Sequence, residues 1–114
     1  MEMFLEVEEM LLMATVRFPV TSAAEFGKKV IDELANNPYP GFTKRNYYFK
    51  FGEDGMTMYI IYEIAEGNEE AGLHDINSRL FKFSQAIEGF KPILEPIIGF
   101  EEAFSLISMT APTN

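Results

Sequence analysis

Residues 43–65, TKRNYYFKFGEDGMTMYIIYEIA, contain two runs of alternating residue types on either side of Gly52-Glu53-Asp54-Gly55. An Asp-Gly pair between two such runs is a strong hairpin signal, because the turn needs a residue that tolerates positive φ. The loop is either two residues, Asp54 and Gly55, or four, Gly52 to Gly55. Both counts are even, so the same residues share a face in either case. We therefore predict a β-hairpin with one nearly apolar face and one amphipathic face.

A strand and a helix are predicted before this hairpin. Met10 to Phe18 is a nearly continuous apolar run, typical of a central strand with both faces covered. Ser22-Ala23-Ala24-Glu25 has the form of a capping box, in which the serine and the glutamate each satisfy a free N–H of the first helical turn. A helix is expected to begin there and to end at Asn36-Asn37-Pro38.

A second helix, a strand and a short helix are predicted after the hairpin. Asn68 is the expected N-cap of a helix that runs to Gly89, with Gly72 as a weak point in its first turn. Residues 92–100 are expected to form a strand at a sheet edge, because Pro96 lacks a ladder donor. Helical spacing of apolar residues predicts a short closing helix over residues 100–107. Residues 1–9 are expected to be a loose lead-in and residues 108–114 a frayed tail.

The order strand, helix, strand, strand, helix, strand is that of ferredoxin-like domains. We predict one α+β domain over residues 1–114, with a four-stranded antiparallel sheet in the order 4-1-3-2 and both main helices on one face. The predicted helix-covered face of the sheet comprises Leu12, Ala14, Val16, Tyr47, Phe49, Phe51, Met56, Met58, Ile60 and Ile64. The opposite face comprises Leu11, Met13, Thr15, Arg17, Asn46, Tyr48, Tyr59, Ile61 and Glu63.

That opposite face has no cover within one molecule. Four strands of about seven residues make an area on the order of 450 Å², which is in the range of interaction patches. We therefore predict a homodimer packed through sheet faces about a two-fold axis. The alternative is an amphipathic face that meets water, which antiparallel sheets tolerate.

Over about residues 10–107 the chain resembles the dimeric α/β-barrel group of ferredoxin-like proteins. The resemblance rests on the element order, on Met10 to Phe18, and on the closing segment Ile93-Leu94-Glu95-Pro96-Ile97-Ile98. The group includes cofactor-independent monooxygenases, muconolactone-type isomerases, haem-degrading enzymes and many small proteins of unknown role. The resemblance implies two sheets that form a barrel, with a small apolar ligand cavity between sheet and helices or at the barrel centre. It transfers no catalytic motif.

Charge and composition exclude several classes of function. A net charge of −9 over 114 residues disfavours binding to nucleic acid or to anionic membrane surfaces. The absence of cysteine excludes disulfides and thiol catalysis. The acidic N-terminal stretch is unlike a secretory leader and no apolar run reaches membrane-spanning length, so we expect a cytoplasmic protein. No pattern of ligands indicates a metal or a cofactor.

Two groups of side chains could carry chemistry. His74 is the single histidine, and it is either a general base or axial ligand in a cavity or a partly exposed helix residue. In a closed barrel, Arg17 beside Tyr48 and Tyr59 could hold a carboxylate or enolate, with Glu63 as the base if burial raises its pKa. Alternatively, Glu63 pairs with Lys44 or Arg17 and the tyrosines pack an interface.

The preferred interpretation is a homodimeric barrel that binds a small apolar or aromatic molecule, either as a cofactor-free enzyme or as a binding protein. The predicted ligand-binding residues are Met13, Arg17, Tyr48 and Tyr59, and the candidate catalytic residues are Arg17, Glu63 and His74. The alternatives are a regulatory module of the amino-acid-sensing kind that pairs edge to edge or helix to helix, a haem-binding or haem-degrading relative, and an interaction protein without a cavity.

Overall fold

A computed structural model describes residues 9–110 and residue 112. These residues form an α+β fold in which three helices accompany a four-stranded antiparallel sheet. The predicted lead-in, except for Glu9, lies outside the described residues, as do three positions of the predicted tail. The elements are β1 (Met10–Phe18), a 3-10 turn (Val20–Ser22), α1 (Ala23–Asn36), β2 (Thr43–Gly52), β3 (Gly55–Ile64), α2 (Glu69–Ala86), β4 (Lys91–Ile97) and α3 (Phe100–Leu106).

The strands lie side by side in the order β2-β3-β1-β4, which reads 4-1-3-2 from the β4 edge. Every neighbouring pair is antiparallel. This arrangement is consistent with a ferredoxin-like fold. β1 is a central strand, and β4, which contains both strand prolines, lies at an edge as predicted. None of the helices in the described part of the chain combines the length and the hydropathy needed to cross a bilayer.

The hairpin between β2 and β3 sets the register of the sheet. Gly52 lies opposite Gly55, so the turn itself is Glu53-Asp54, in the register expected for the four-residue loop. Gly55 has φ of +125°, and a Cβ there would lie 2.7 Å from the carbonyl oxygen of Phe18. Only glycine therefore fits this position, where the chain passes close to the end of β1.

The core lies between the sheet and the two main helices. Alternate side chains of β1 and β3 point to the helices and are buried, and the helices contribute Phe26, Ile76 and Leu80. Four phenylalanine rings close one end of this layer, with centroids 4.8 to 6.2 Å apart. The buried apolar residues are Leu12, Ala14, Val16, Phe18, Phe26, Met58, Ile60, Tyr62, Ile64, Ile76, Leu80, Ile87 and Phe90.

The prediction that the helices cover the whole apolar face is wrong at β2. Tyr47, Phe49 and Phe51 lie on that face, but Phe49 is 48% exposed and Phe51 73% exposed. The helices pack over β1 and β3, whereas β2 is the far edge strand and its hairpin end has no helix above it. The cover expected on both faces of β1 is likewise incomplete in the described part of the chain, where Leu11 and Met13 are only half-buried and Arg17 is exposed.

The predicted capping box is also wrong, although α1 begins where the sequence predicted. Ser22 occupies the N-cap position without a side-chain hydrogen bond to the helix. Its hydroxyl instead donates to the carbonyl oxygen of Glu88 at 3.2 Å, because the chain after α2 passes beside the start of α1. Asn68 is the N-cap of α2 but makes no capping hydrogen bond, and α2 ends at Ala86 rather than at Gly89.

Gly72 does not interrupt α2 but brings the helix close to the sheet. A Cβ at Gly72 would lie 2.8 Å from two carbon atoms of the Ile64 side chain. Ile64 is itself fully buried, so it has no free space into which to move. The glycine therefore allows direct contact between α2 and β3.

Gly72→Ala is expected to lower the free energy of unfolding by about 1–3 kcal/mol, because the added methyl group overpacks this contact. Gly27→Ala in α1 is the matched control. A Cβ at Gly27 meets no atom within 4 Å, so this change should stabilise the protein by up to about 1 kcal/mol through helix propensity. Urea unfolding of both variants measures the difference. Equal stability of the two variants would contradict the close approach.

Candidate functional site

The face of the sheet opposite α1 and α2, called the open face here, arranges its side chains in rows that cross the four strands. Residues directly opposite one another on antiparallel strands share a face, so the register defines each row. The open face comprises Leu11, Met13, Thr15, Arg17, Lys44, Asn46, Tyr48, Lys50, Thr57, Tyr59, Ile61, Glu63, Lys91, Ile93, Glu95 and Ile97.

One row concentrates positive charge at the hairpin end of the open face. Thr57 lies opposite both Lys50 and Arg17, and Arg17 lies opposite Lys91. Three cationic side chains from three strands therefore stand in one line, which we call the cationic row. Like charges placed directly opposite one another, as Arg17 and Lys91 are, destabilise a sheet unless an anion compensates them.

The neighbouring row on the open face is aromatic and apolar. Tyr59 lies opposite both Tyr48 and Thr15, and Thr15 lies opposite Ile93. The Nζ atom of Lys50 stands 5.9 Å from the centroid of the Tyr59 ring. A ring face therefore adjoins the cationic row, and a flat molecule with one negative group could contact both rows at once.

The charge of the open face contrasts with that of the whole chain. The open face carries four basic and two acidic side chains, whereas the protein has a net charge of −9. The acidic pair, Glu63 and Glu95, lies toward the end of the sheet away from the cationic row. The positive potential is thus local, and it suits a small anion better than an extended polyanion.

The four predicted ligand-binding residues share the open face. Tyr48 and Tyr59 lie directly opposite one another, and Arg17 lies in the row beside them. Met13 lies opposite Ile61, in the row on the other side of the tyrosines. The residues that sequence reasoning missed here are Lys50 and Lys91. Lys91 lies one residue before the strand predicted over residues 92–100, so its place in the row could be known only from the β1–β4 register.

The three candidate catalytic residues do not lie together. Glu63 is opposite Leu11, six residues along β1 from Arg17, which is about 20 Å in an extended strand. Partial burial and the neighbouring Glu9 raise the pKa of the Glu63 carboxyl above its usual range. Glu63 also lies opposite Lys44, as expected from the longer turn.

His74 lies on the helix side of the molecule. It is exposed on α2, at an open groove of about 500 Å³ between that helix and β4. Neither Arg17 nor Glu63 lines this groove. Among residues 9–110 and 112, no group of three or more histidine, aspartate or glutamate side chains is arranged to hold a metal ion.

A second polar cluster lies inside the helix-covered layer, around Tyr39. The Tyr39 ring stands between two guanidinium groups, that of Arg79 at 3.8 Å and that of Arg45 at 4.0 Å from its centroid. Arg79 is buried, and it donates to Asp75 at 2.9 Å and to Glu33 at 3.5 Å. These carboxylates balance the two positive charges, so the cluster as a whole is neutral.

Arg79 also joins α2 to the end of α1. Its guanidinium donates to the carbonyl oxygens of Asn37 at 2.6 Å and Pro38 at 3.0 Å, just after the last turn of α1. These carbonyls lie just beyond α1, where no further helical N–H reaches them, so a buried cation at this position completes their hydrogen bonding. The sequence signal was weak, since Arg79 is one charged position in the otherwise amphipathic pattern of α2. We assign this cluster a structural role.

The cavity beside this cluster is small. It has a volume of about 40 Å³ and a mostly apolar lining that includes Phe26, Met58 and the buried Tyr62. This is room for one or a few water molecules, whereas a benzene-sized ligand needs about 150 Å³. The cavity therefore does not suit an aromatic ligand.

Burial changes the acidity of the two phenols in this layer. Burial, with a smaller contribution from Tyr47, raises the pKa of Tyr39 to about 12. Burial and the neighbouring Tyr39 raise the pKa of Tyr62 well above its usual range. The Tyr39 side chain is close enough to the Tyr62 hydroxyl to affect its ionisation. The two groups are not in hydrogen-bond geometry, and among the described residues the Tyr62 hydroxyl has no hydrogen-bond partner. Both phenols are therefore stable in the fold only when neutral.

We expect the raised pKa of Tyr39 to make the folded protein less stable at alkaline pH. The unfolded phenol ionises near pH 10, before the folded Tyr39 at about 12, so stability is complete below pH 10 and falls progressively between these values. Tyr39→Phe should reduce the loss between pH 10 and pH 12, measured by urea unfolding at each pH. A loss of the same size in Tyr39→Phe and in wild type would contradict the assignment.

Comparison of the chain with protein-family models, with characterised proteins and with solved structures found no significant match. The resemblance to dimeric α/β barrels therefore stays a prediction from the sequence.

Proposed function

We propose that this protein is a homodimer whose two open faces meet and enclose a binding site for a small aromatic or apolar anion, such as an aromatic carboxylate. The observation that carries the proposal is the cationic row beside the aromatic row, on the uncovered face of an otherwise acidic chain. Arg17, Tyr48, Tyr59 and Met13 are the proposed ligand-binding residues. The ligand would be bound without a metal or cofactor.

The charge arrangement supports an anionic ligand. Arg17 and Lys91 lie directly opposite one another, which is unfavourable in the free protein. A carboxylate between them would remove this repulsion, and the planar guanidinium can donate two parallel hydrogen bonds to it. Closure by a second sheet would exclude water and strengthen these charged hydrogen bonds.

The apolar content of the open face supports closure by a second copy. Leu11, Met13 and Ile61 are half-buried; Met13 and Ile61 lie in the row next to the aromatic row, and Leu11 lies one row farther away. A face on the order of 450 Å² with this composition is in the range that marks interaction sites. A two-fold axis would place the same rows on both walls of the enclosed space.

Arg17→Gln is expected to weaken binding of benzoate roughly ten- to a hundredfold, because it removes a charged hydrogen-bond donor. Isothermal titration calorimetry measures the affinity, and shifts of the Tyr48 and Tyr59 ring resonances in NMR locate the ligand. Benzyl alcohol, an uncharged analogue, should bind wild type no more tightly than it binds the variant. Lys28→Gln, which removes an exposed charge from α1, is the control and should leave benzoate affinity unchanged. If neither benzoate nor related aromatic carboxylates shift the ring resonances of Tyr48 or Tyr59, the proposed binding site is wrong.

Met13→Asp is expected to halve the molar mass of the assembly at tens of micromolar, because it introduces a charge at the centre of the proposed interface. Analytical ultracentrifugation measures the mass. Ile31→Asp makes the same kind of change at a residue that is 69% exposed on α1, and it should leave the mass unaltered. An unchanged mass for Met13→Asp, with the fold intact by circular dichroism, would exclude the open face as the interface.

A further inference from the structure

The outer edge of β2 has no strand beside it among the described residues. The carbonyl oxygen of Phe42 accepts from the N–H of Ala65 beyond β3, so even-numbered residues direct their backbone groups toward β3. Directions alternate along a strand, and odd-numbered residues therefore direct theirs outward. Among the described residues, β3 is the sole strand neighbour of β2. The outward positions of β2 are Thr43, whose N–H donates to Pro40, and Arg45, Tyr47, Phe49 and Phe51.

The opposite edge of the sheet, formed by β4, is less able to pair with a further strand. β4 lies beside β1, with Pro92 opposite Val16 and Pro96 opposite Leu12. Since proline has no N–H to donate, these two positions must direct their backbone toward the outside. The outward positions of β4 between these prolines are Pro92, Leu94 and Pro96, and of these only Leu94 has a backbone N–H to donate. A further strand can therefore pair well with β2 but poorly with β4.

We propose that β2 pairs with the β2 of a second copy, antiparallel and about a two-fold axis, to form a continuous eight-stranded sheet. The occupant favoured by the structure is a second copy because β2 is complementary to itself in one register. Only the odd-numbered residues of β2 direct their backbone N–H and C=O groups outward. In a hydrogen-bonded antiparallel pair, an odd-numbered residue of one copy must therefore lie opposite an odd-numbered residue of the other, so the two residue numbers add to an even total.

Charge and length then select one register. Centring on Tyr47 pairs nine residues of each copy but places Lys44 opposite Lys50 twice, which is unfavourable. Centring on Asn46 or Phe49 pairs only seven residues, and the Asn46 register also requires the N–H of Thr43, which already donates to Pro40. Centring on Tyr48 pairs nine residues with no like charges opposite. The facing positions are then Lys44 with Gly52, Arg45 with Phe51, Asn46 with Lys50, Tyr47 with Phe49, and Tyr48 with itself.

This register gives cover to the aromatic side chains that the helices leave exposed. Phe51, which is 73% exposed, would face the guanidinium of Arg45, and Phe49, which is 48% exposed, would face Tyr47. These are cation–π and aromatic cross-strand pairs. The outward backbone groups would form about eight hydrogen bonds between the copies. The contact uses strand edges, so it is independent of the face-to-face dimer and could join two such dimers into a tetramer.

Single cysteines in this cysteine-free chain test the register. Tyr48→Cys would place two Cα atoms about 4.5 Å apart on the two-fold axis, within disulfide range. Sheets packed face to face hold their backbones about 10 Å apart, which is too far for a disulfide. Asn46→Cys is the matched control, because its symmetry mate would lie about 14 Å away. We expect Tyr48→Cys to form a covalent dimer at least about tenfold faster than Asn46→Cys. A size-tagged Lys50→Cys protein mixed with Asn46→Cys should form a heterodimer.

A backbone variant tests the hydrogen bonds. Phe49→Pro removes an outward N–H without changing the β2–β3 ladder, whereas Phe49→Val removes the same ring and keeps the N–H. Loss of two symmetry-related hydrogen bonds should raise the dissociation constant of the edge contact by about thirtyfold relative to Phe49→Val. Sedimentation measures this, with urea unfolding to verify the fold.

Similar crosslinking at positions 46 and 48, or identical masses for wild type and both Phe49 variants across concentrations, would overturn the edge contact. Neither result bears on the open-face dimer, which Met13→Asp tests. Conversely, a protein in which Met13→Asp has no effect but Tyr48→Cys crosslinks selectively would retain the edge contact and lose the face-to-face dimer.

Discussion

The packing of one side of β1 and β3 against α1 and α2 determines the rest of this structure. Side chains of a strand alternate between two faces, so once Leu12, Ala14 and Val16 are buried under the helices, Met13, Thr15 and Arg17 must point the other way. The composition of the open face is therefore fixed by the core. Repulsion between Arg17 and Lys91 makes the cationic row unfavourable in the isolated molecule. A bound anion or a protein interface at this end of the sheet would compensate this repulsion.

Local patterns in the sequence predicted the elements well because the relevant physics is local. Alternation over 43–65 gave the hairpin and the face of each residue, and the apolar run 10–18 gave a central strand. Contacts between distant segments could not be predicted in this way. Ser22 donates to Glu88 instead of to its own helix because two chain segments happen to meet there. The exposure of Phe49 and Phe51 depends on how far the helices extend over the sheet, which no period in the sequence encodes.

The candidate site was predictable in part for the same reason. Residues of β1, β2 and β3 could be placed on a common face from alternation alone, which brought Arg17, Tyr48 and Tyr59 together. Alternation places Lys50 on this face too, but its place in one row with Arg17 follows only from the strand registers, as does that of Lys91. The buried Arg79 was missed because its partners are backbone carbonyls after α1, more than forty positions away in the chain. A charged residue in an amphipathic helix gives no sign of such distant partners.

The close contact between Gly72 and Ile64 has a consequence for how this layer can deform. α2 rests directly on β3 at its first turns, and its middle is tied by Arg79 to the chain that follows α1. Arg79 also bonds to Glu33 of α1, and Ser22 at the start of α1 donates to Glu88, so α1 is tied at both of its ends as well. Any widening of the space between helices and sheet must therefore displace the two helices together rather than one of them alone.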